Sequence, residues 1–136
     1  MEKKLKTILL VEDNEDDVFL MRRILKKAAI AVNLQVATDG KQAVQYLGAE
    51  GAYHDRNLHP LPDLIFLDLK LPFLHGFDVL AWMKQHDLLS QLPVTILSSS
   101  LEDQDREKAK AFGVPYLVKP PTAPMLETAL KAANVI

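Results

Sequence analysis

Five polar side chains directly follow short apolar runs of the chain, and together they could carry out phosphoryl chemistry. They are Glu12, Asp13, Asp68, Ser98 and Lys119. An apolar run of this kind is typical of a buried parallel strand, and the carboxyl ends of parallel strands meet at one edge of a sheet. We therefore expect three carboxylates, a hydroxyl and an amine to share one site.

Three carboxylates at one point need a compensating positive charge. Two like charges ~4 Å apart repel by roughly 4 kcal/mol at an effective dielectric constant of ~20. Lys119 offsets part of this repulsion, and a divalent ion would offset more. Oxygen ligands favour a hard ion, and a few carboxylates in a wet cleft suit magnesium better than calcium. Asp68 could then attack phosphorus while the metal, Lys119 and Ser98 hold the equatorial oxygens.

The elements that position these residues alternate along the chain. The apolar runs predict strands at 8–11, 34–37, 64–69, 94–98 and 114–118. The amphipathic segments predict helices from the cap Asn14 to about 29, at 41–47, 76–86 and 101–112, and from the cap Thr122 onward. Five βα units imply a three-layered α/β fold, a flavodoxin-like (βα)5 doubly wound parallel sheet. Its strand order, 2-1-3-4-5, is the order known for this fold class.

Composition limits the classes of function. The 136 residues are 49% hydrophobic and 25% charged, which suits one domain, 1–136, with a core of about 6–133. A net charge of −2 gives no electrostatic reason to expect nucleic acid or an anionic membrane as partner. The chain has no cysteine, so disulfides, thiolate zinc sites and cysteine nucleophiles are excluded. No stretch approaches the ~20 apolar residues of a spanning helix, and we expect a cytoplasmic protein.

In their order along the chain, the residues resemble the receiver domains of two-component response regulators. The matching positions are Glu12-Asp13, Asp68 with Leu71-Pro72 and Gly76, Ser98, and Tyr116 with Lys119-Pro120. The resemblance extends from about Lys6 to Ala133. It implies that Asp68 accepts a phosphoryl group from a sensor histidine kinase. It also implies that magnesium, or manganese, is held by Glu12, Asp13, Asp68 and the backbone carbonyl of Lys70.

The resemblance also assigns the groups that bind the phosphoryl oxygens. These groups are the side chains of Lys119 and Ser98 and the backbone N–H groups of Leu69, Lys70 and Ser99. On phosphorylation in this family, the hydroxyl moves toward the phosphate and the Tyr116 ring turns inward. This movement reshapes the face made by the fourth helix, the fifth strand and the fifth helix. The Lys119–Pro120 peptide bond is expected to be cis.

The resemblance implies a stand-alone switch rather than an enzyme, catalysing only its own phosphotransfer and autodephosphorylation. Output would pass to a downstream protein or to a histidine phosphotransfer partner. The long loop 48–62 resembles a subset of regulators that serve phytochrome-like kinases. Homodimerisation through the last helices is a further expectation, because Val135 and Ile136 form an apolar end.

Two other functions compete with this interpretation. A haloacid-dehalogenase-type phosphatase also uses a strand-end aspartate, here Asp68, as a nucleophile with magnesium. Those enzymes usually carry a second acid two positions later, where this chain has Lys70, and the chain lacks room for a cap domain. A flavodoxin-like binding module would cradle phosphate in its first loop. Here the acids of residues 12–16 would repel that phosphate.

Several remaining side chains have a simpler structural interpretation. The acids Glu15, Asp16 and Asp17 suit the first turn of a helix, where they stabilise the helix dipole. Ser100 and Asp103 form a weak capping box. The four histidines show no metal-ligand spacing and are expected at the surface: His54, His59, His75 and His86.

The loop after Asp68 is unusually apolar. His75 stands where the family usually has aspartate, which should alter this loop. Its apolar side chains either pack under the third helix, which we favour, or form a kinase-docking patch; they are Phe73, Leu74 and Phe77.

Overall fold

Five apolar segments form one parallel sheet in the structure, a computed structural model that describes residues 5–136. The strands are β1 (Thr7–Val11), β2 (Asn33–Ala37), β3 (Leu64–Leu67), β4 (Val94–Ser98) and β5 (Tyr116–Val118). The α-helices are α1 (Glu15–Lys27), α2 (Gly40–Leu47), α3 (Gly76–Lys84), α4 (Asp103–Phe112) and α5 (Ala123–Ala132). The strand order β2-β1-β3-β4-β5 confirms the predicted fold class.

The core lies on both faces of this sheet, which explains why the strands are apolar throughout. In β1, Leu9 and Val11 face one hydrophobic cluster, whereas Ile8 and Leu10 face the other. The first cluster is completed mainly by α2 and α3, and the second by α1 and α5. Since both faces are covered, every residue of β1 is buried.

Several element boundaries differ from the predicted ones by about two residues. The strand β5 begins at Tyr116 rather than 114, because Pro115 has no N–H group for the strand ladder. The helix α4 begins at Asp103 rather than 101. The Ser100 hydroxyl accepts the N–H of Glu102 at 3.3 Å, and this contact holds the residues before α4 in a non-helical turn.

The apolar C-terminal end that led us to expect homodimerisation is only partly exposed. Val135 is 8% exposed and packs with Leu130 in the cluster beside α1 and α5. Only Ile136 of the expected apolar pair is exposed. Val135 is buried because α5 ends at Ala132 and the turn that follows directs it back to the core, and homodimerisation itself stays a prediction.

Among residues 5–136, none of the helices combines the length and the apolar character that crossing a membrane requires.

Candidate functional site

The two acidic strand ends meet because β1 and β3 are neighbours in register. Val11 pairs with Leu67, so Glu12 and Asp68 leave the sheet side by side. The N–H of Glu12 donates to Ala37 O at 2.9 Å, and the N–H of Asp68 donates to Val11 O at 3.1 Å. Carboxylate oxygens of Glu12, Asp13 and Asp68 all lie within 4.8 Å of one another. The structure therefore brings the three predicted acids together at the carboxyl edge of the sheet.

Lys119 supplies a positive charge to this acidic group. Its ammonium donates hydrogen bonds to Asp68 Oδ2 at 2.9 Å, to Asp17 Oδ2 at 2.8 Å and to Glu12 Oε1. Its backbone N–H donates to Ser98 O at 2.9 Å, which fixes the chain beside the end of β4. The Lys119–Pro120 peptide bond that follows is cis, the geometry that the resemblance implies.

Burial and charge act in opposite directions on this cluster. Burial raises the pKa of the Glu12 carboxyl to about 7, and the nearby Asp68 adds to that rise, while the hydrogen bond from Lys119 counteracts it. Burial alone would lower the pKa of Lys119. Its hydrogen bonds to Asp17, Glu12 and Asp68 outweigh burial and hold that pKa above its ordinary value. Lys119 is therefore a permanent cation of the site, whereas Glu12 binds a proton more readily than an ordinary glutamate does.

Asp17 is a member of the site that the sequence interpretation missed. It was assigned only to the dipole of α1, yet its carboxylate accepts a hydrogen bond from Lys119. The sequence contains no signal for this role, because Asp17 belongs to the acids of the first turn of α1 and Asp13 lies before the cap Asn14, outside the helix. The cap Asn14 fixes where that turn begins, since its side chain accepts the N–H groups of Asp16 and Asp17 at 2.8 and 3.3 Å.

The backbone around Asp68 is held by a close approach of α3. The N–H of Leu69 donates to Asp68 Oδ1 at 2.7 Å, and the N–H of Gly76 donates to Leu69 O at 2.8 Å. A Cβ atom at Gly76 would lie 2.4 Å from Asp68 O, so only glycine fits there. The exposed residues Lys70 and Ser99 follow the ends of β3 and β4, at the same edge of the sheet.

A chain of hydrogen bonds connects the predicted switch residues. Ser98 is buried, and its hydroxyl oxygen accepts the N–H of Ser100 at 3.2 Å. The Tyr116 hydroxyl donates to Ser100 O at 2.9 Å. The Ser100 hydroxyl donates to Asp105 at 2.6 Å, and the N-cap of α4 is Glu102 rather than Ser100, so the predicted capping box is wrong. Ser98, Tyr116 and the start of α4 are thus connected through the backbone of Ser100.

Two histidines have structural roles that the sequence interpretation did not predict. His75 is the N-cap of α3: its Nδ1 accepts the N–H of Phe77 at 3.2 Å, and Asp78 accepts the N–H of His75 at 3.2 Å. His59 is half-buried, with its ring 5.7 Å from Tyr46 and 5.1 Å from Tyr53. The surface expectation is confirmed for His54, His75 and His86, which are exposed, and not for His59.

The apolar side chains of the loop after Asp68 differ in burial. Phe77 is 4% exposed, and Leu74 packs against the same core cluster, as the favoured prediction held. Phe73 is 82% exposed, so for this residue that prediction is wrong.

The fold and the site together define a class of protein. A five-stranded parallel α/β domain with clustered acids and a lysine at its carboxyl edge is typical of signalling modules that are phosphorylated on aspartate. Residues 8–131 match the family model "Response regulator receiver domain". The chain belongs to this family, whose members receive a phosphoryl group on aspartate and are generally non-enzymatic signalling proteins.

Similar proteins include response regulators, one of which is named a bacteriophytochrome response regulator. The chain is 40% identical to the response regulator Rcp1 of Synechocystis over 100 residues, which cover 74% of this chain and 66% of Rcp1. The structure of the bacteriophytochrome response regulator AtBRR superposes with a TM-score of 0.84 at 38% identity, covering 98% of this chain and 96% of that one. The Mn²⁺-bound form of Rcp1 gives a TM-score of 0.77 at 36% identity, covering 94% and 88%.

These findings support neither alternative function. The matches are to response regulators rather than to phosphatases or flavodoxins. At the position of the phosphatase acid, Lys70 is an exposed lysine. Receiver domains bind Mg²⁺ or Mn²⁺, and the acidic cluster of Glu12, Asp13 and Asp68 fits such an ion.

Proposed function

We propose that Asp68 accepts a phosphoryl group from the phosphohistidine of a sensor kinase. The observation that carries this proposal is the convergence of Glu12, Asp13 and Asp68, with Lys119 donating to Asp68 at 2.9 Å. In the transfer, the N–P bond of phosphohistidine breaks while a bond forms between phosphorus and a carboxylate oxygen of Asp68. The leaving imidazole nitrogen keeps the electron pair of the broken bond, and nothing is oxidised or reduced.

The residues that would hold the metal are Glu12, Asp13 and Asp68, with the backbone carbonyl of Lys70. A bound Mg²⁺ or Mn²⁺ would neutralise these carboxylates and the charge on the phosphoryl oxygens. The fit is supported by chemistry, since hard divalent ions prefer clustered carboxylate oxygens. Because three acids share the ammonium of Lys119 and Asp13 adds a fourth carboxylate, the site retains an excess of negative charge that favours such an ion.

Once Asp68 is phosphorylated, the phosphoryl oxygens need hydrogen-bond donors. The proposed donors are Lys119, the hydroxyl of Ser98 and the backbone N–H groups of Leu69, Lys70 and Ser99. A turn of the Ser98 hydroxyl toward phosphate would remove the oxygen that now accepts the N–H of Ser100. The carbonyl of Ser100 holds the Tyr116 hydroxyl, so this rearrangement would reach α4, β5 and α5 through that tyrosine.

The pathway is proposed from the family and the similar proteins. The chain, a single receiver domain over 1–136 with a core of about 6–133, would serve a phytochrome-like sensor histidine kinase in the cytoplasm, where ATP is available. It would signal by contact with a downstream protein or by relay to a histidine phosphotransfer partner. Its chemistry would be limited to its own phosphorylation and dephosphorylation, without nucleic acid or membrane as a partner.

Labelling with a small phosphodonor tests the proposed acceptor. Acetyl phosphate with Mg²⁺ should add one phosphoryl group to the unsubstituted protein, detected as the intact mass, and none to Asp68→Asn. The matched control is Asp16→Asn, an exposed acid near the site, which should be labelled normally. Labelling of Asp68→Asn at the same rate would exclude Asp68 as the acceptor.

A further inference from the structure

Phe73 adopts a backbone conformation that is unusual for a bulky residue. Its φ angle is +68°, in the left-handed region that L-residues rarely adopt. The N–H of Leu74 donates to Pro72 O at 2.8 Å, an i→i+2 hydrogen bond with Phe73 at its centre. A positive φ and this bond together define the rare and strained form of γ-turn. Strain of this type persists only where the surroundings impose it, and it is concentrated at functional sites.

The neighbours of Phe73 impose its positive φ angle. Pro72 O also accepts the N–H of Gly40 at 3.3 Å, which attaches the loop to the start of α2. Gly40 packs so tightly on the loop that an added Cβ would lie 2.4 Å from Leu74 O. At the other side, the hydrogen bond from Gly76 to Leu69 closes the base of the loop. The loop is therefore fixed on both sides of Phe73, and the Phe73 side chain is left exposed to solvent.

The result is an aromatic side chain displayed beside the phosphoacceptor. At 82%, Phe73 is the most exposed large hydrophobic side chain among residues 5–136. It lies five residues after Asp68, so the two Cα atoms are separated by at most about 18 Å. The loop itself begins at Asp68 and ends where Gly76 packs on its carbonyl, so Phe73 stands on the rim of the site.

We propose that Phe73 is a docking anchor for the phosphohistidine-bearing protein that delivers the phosphoryl group to Asp68. Asp68 is largely buried, so a donor histidine on a protein must approach closely enough to cover the rim. Water-exposed aromatic surface is then buried in an apolar recess of the donor, as aromatic anchors are in other interfaces. A small phosphodonor has no surface to cover Phe73 and gains nothing from it. This proposal rests on the proposed function of Asp68.

Two variants separate docking from folding. Phe73→Gly and Phe73→Asn both remove the aromatic ring and place residues that tolerate a positive φ. Their melting temperatures should be no lower than that of the unsubstituted protein, since strain is relieved and no buried contact is lost. A lower melting temperature in both variants would overturn the proposal, because it would mean that Phe73 serves the fold.

Phosphotransfer provides the decisive comparison. The purified histidine kinases of the source organism are autophosphorylated with radiolabelled ATP, and the one that transfers fastest to the unsubstituted protein is the probe. With this kinase, kcat/KM should fall about tenfold or more in both Phe73 variants, mainly through KM. Labelling by acetyl phosphate should be unchanged. The control Leu58→Ala removes another exposed apolar side chain, 67% exposed, in the loop 48–62 and should transfer normally.

The remaining outcomes each overturn the docking role. Normal transfer from the kinase to both variants would show that the donor does not use Phe73, even if Asp68 is the acceptor. Equal losses with kinase and acetyl phosphate would place Phe73 in the chemistry instead. If none of the kinases transferred a phosphoryl group, a phosphohistidine-bearing kinase would be excluded as the protein that covers Phe73. A dimer of the unsubstituted protein that dissociates in Phe73→Gly, measured by sedimentation, would assign the surface to a second copy. Failure of acetyl phosphate to label Asp68 would instead refute the proposed function.

Discussion

Two regions of the molecule place polar groups next to the core and satisfy them in opposite ways. At the carboxyl edge of the sheet, the ammonium of Lys119 is shared among Glu12, Asp17 and Asp68, and Asp13 adds a further carboxylate. Negative charge is left in excess there. The loop 48–62, by contrast, contains the acids Glu50 and Asp55 and the cation Arg56, and the guanidinium of Arg56 donates to backbone carbonyls instead of to acids.

The loop 48–62 is held by Arg56 and Tyr46. The Arg56 guanidinium donates to the carbonyls of Tyr46, Leu47 and His59 at 2.9, 2.8 and 3.1 Å, and so satisfies the C-terminal end of α2. The Tyr46 hydroxyl donates to Pro60 O at 2.7 Å. The only buried side-chain nitrogen or oxygen without a partner in the described chain is Nδ1 of His59. That atom lies in this loop, so its hydrogen bonds are not all matched. The comparison therefore indicates that clustered like charge, rather than an unpaired polar atom, marks the binding site.

The strongest test of this contrast removes the cation of the site. Without metal, Lys119→Met should lower the free energy of unfolding by about 3 kcal/mol, because buried carboxylates lose their partner while the apolar stem is kept. The loss should be larger at pH 8 than at pH 6. Below pH of about 7 the Glu12 carboxyl, whose pKa is raised, is protonated, and the repulsion is weaker.

Urea denaturation measures this loss, and Mg²⁺ provides a second readout. Millimolar Mg²⁺ should raise the melting temperature of Lys119→Met more than that of the unsubstituted protein, since the ion replaces the missing charge. The matched control is Lys131→Met on the exposed surface of α5. Equal stability of the two methionine variants at pH 8 would show that the acids need no cation.

A change in the loop 48–62 should have a smaller effect of a different type. Arg56→Ala leaves three carbonyls without their donor and should cost about 2 kcal/mol of unfolding free energy. Mg²⁺ should not restore this loss, and labelling by acetyl phosphate should be unchanged. Arg23→Ala on the exposed side of α1 serves as the control. Loss of phosphorylation in Arg56→Ala would mean that the loop is part of the site after all.

The parts predicted from sequence are those that depend on regular patterns. Alternating apolar runs and amphipathic segments predicted the fold, because a strand covered on both faces must be apolar throughout. The strand-end acids and Lys119 were predicted to meet for the same reason, since parallel strands end at one edge. Once the fold is known, the positions of Glu12 and Asp68 follow from the pairing of Val11 with Leu67.

The parts that were missed depend on local geometry, which the regular spacing of apolar residues in the sequence does not encode. Whether Asp17 faces Lys119 depends on the residue at which α1 begins, and the run of acids allowed several starts. Phe73 was expected under α3 because it is apolar. Its outward direction is set by Gly40 and Gly76, which fix the loop on both sides and leave a γ-turn between them. Neither feature could be found without the positions of distant residues.

The smallest expected change in stability has the opposite sign to that of Lys119→Met, because it removes one of the acids instead of the cation. It is therefore the finest test of the comparison. Asp13 is exposed and contributes to the excess charge, with no cation donating to it among the described ion pairs. Without metal, Asp13→Asn should therefore stabilise the protein by about 0.5 kcal/mol, the scale of exposed charge interactions. With Mg²⁺ the order should invert, because the variant lacks one ligand and gains less from the ion. Melting curves at a series of Mg²⁺ concentrations would reveal the crossing point, and Asp16→Asn should show none. If Asp13→Asn were less stable than the unsubstituted protein without metal, the excess of negative charge would not be what destabilises this edge of the sheet.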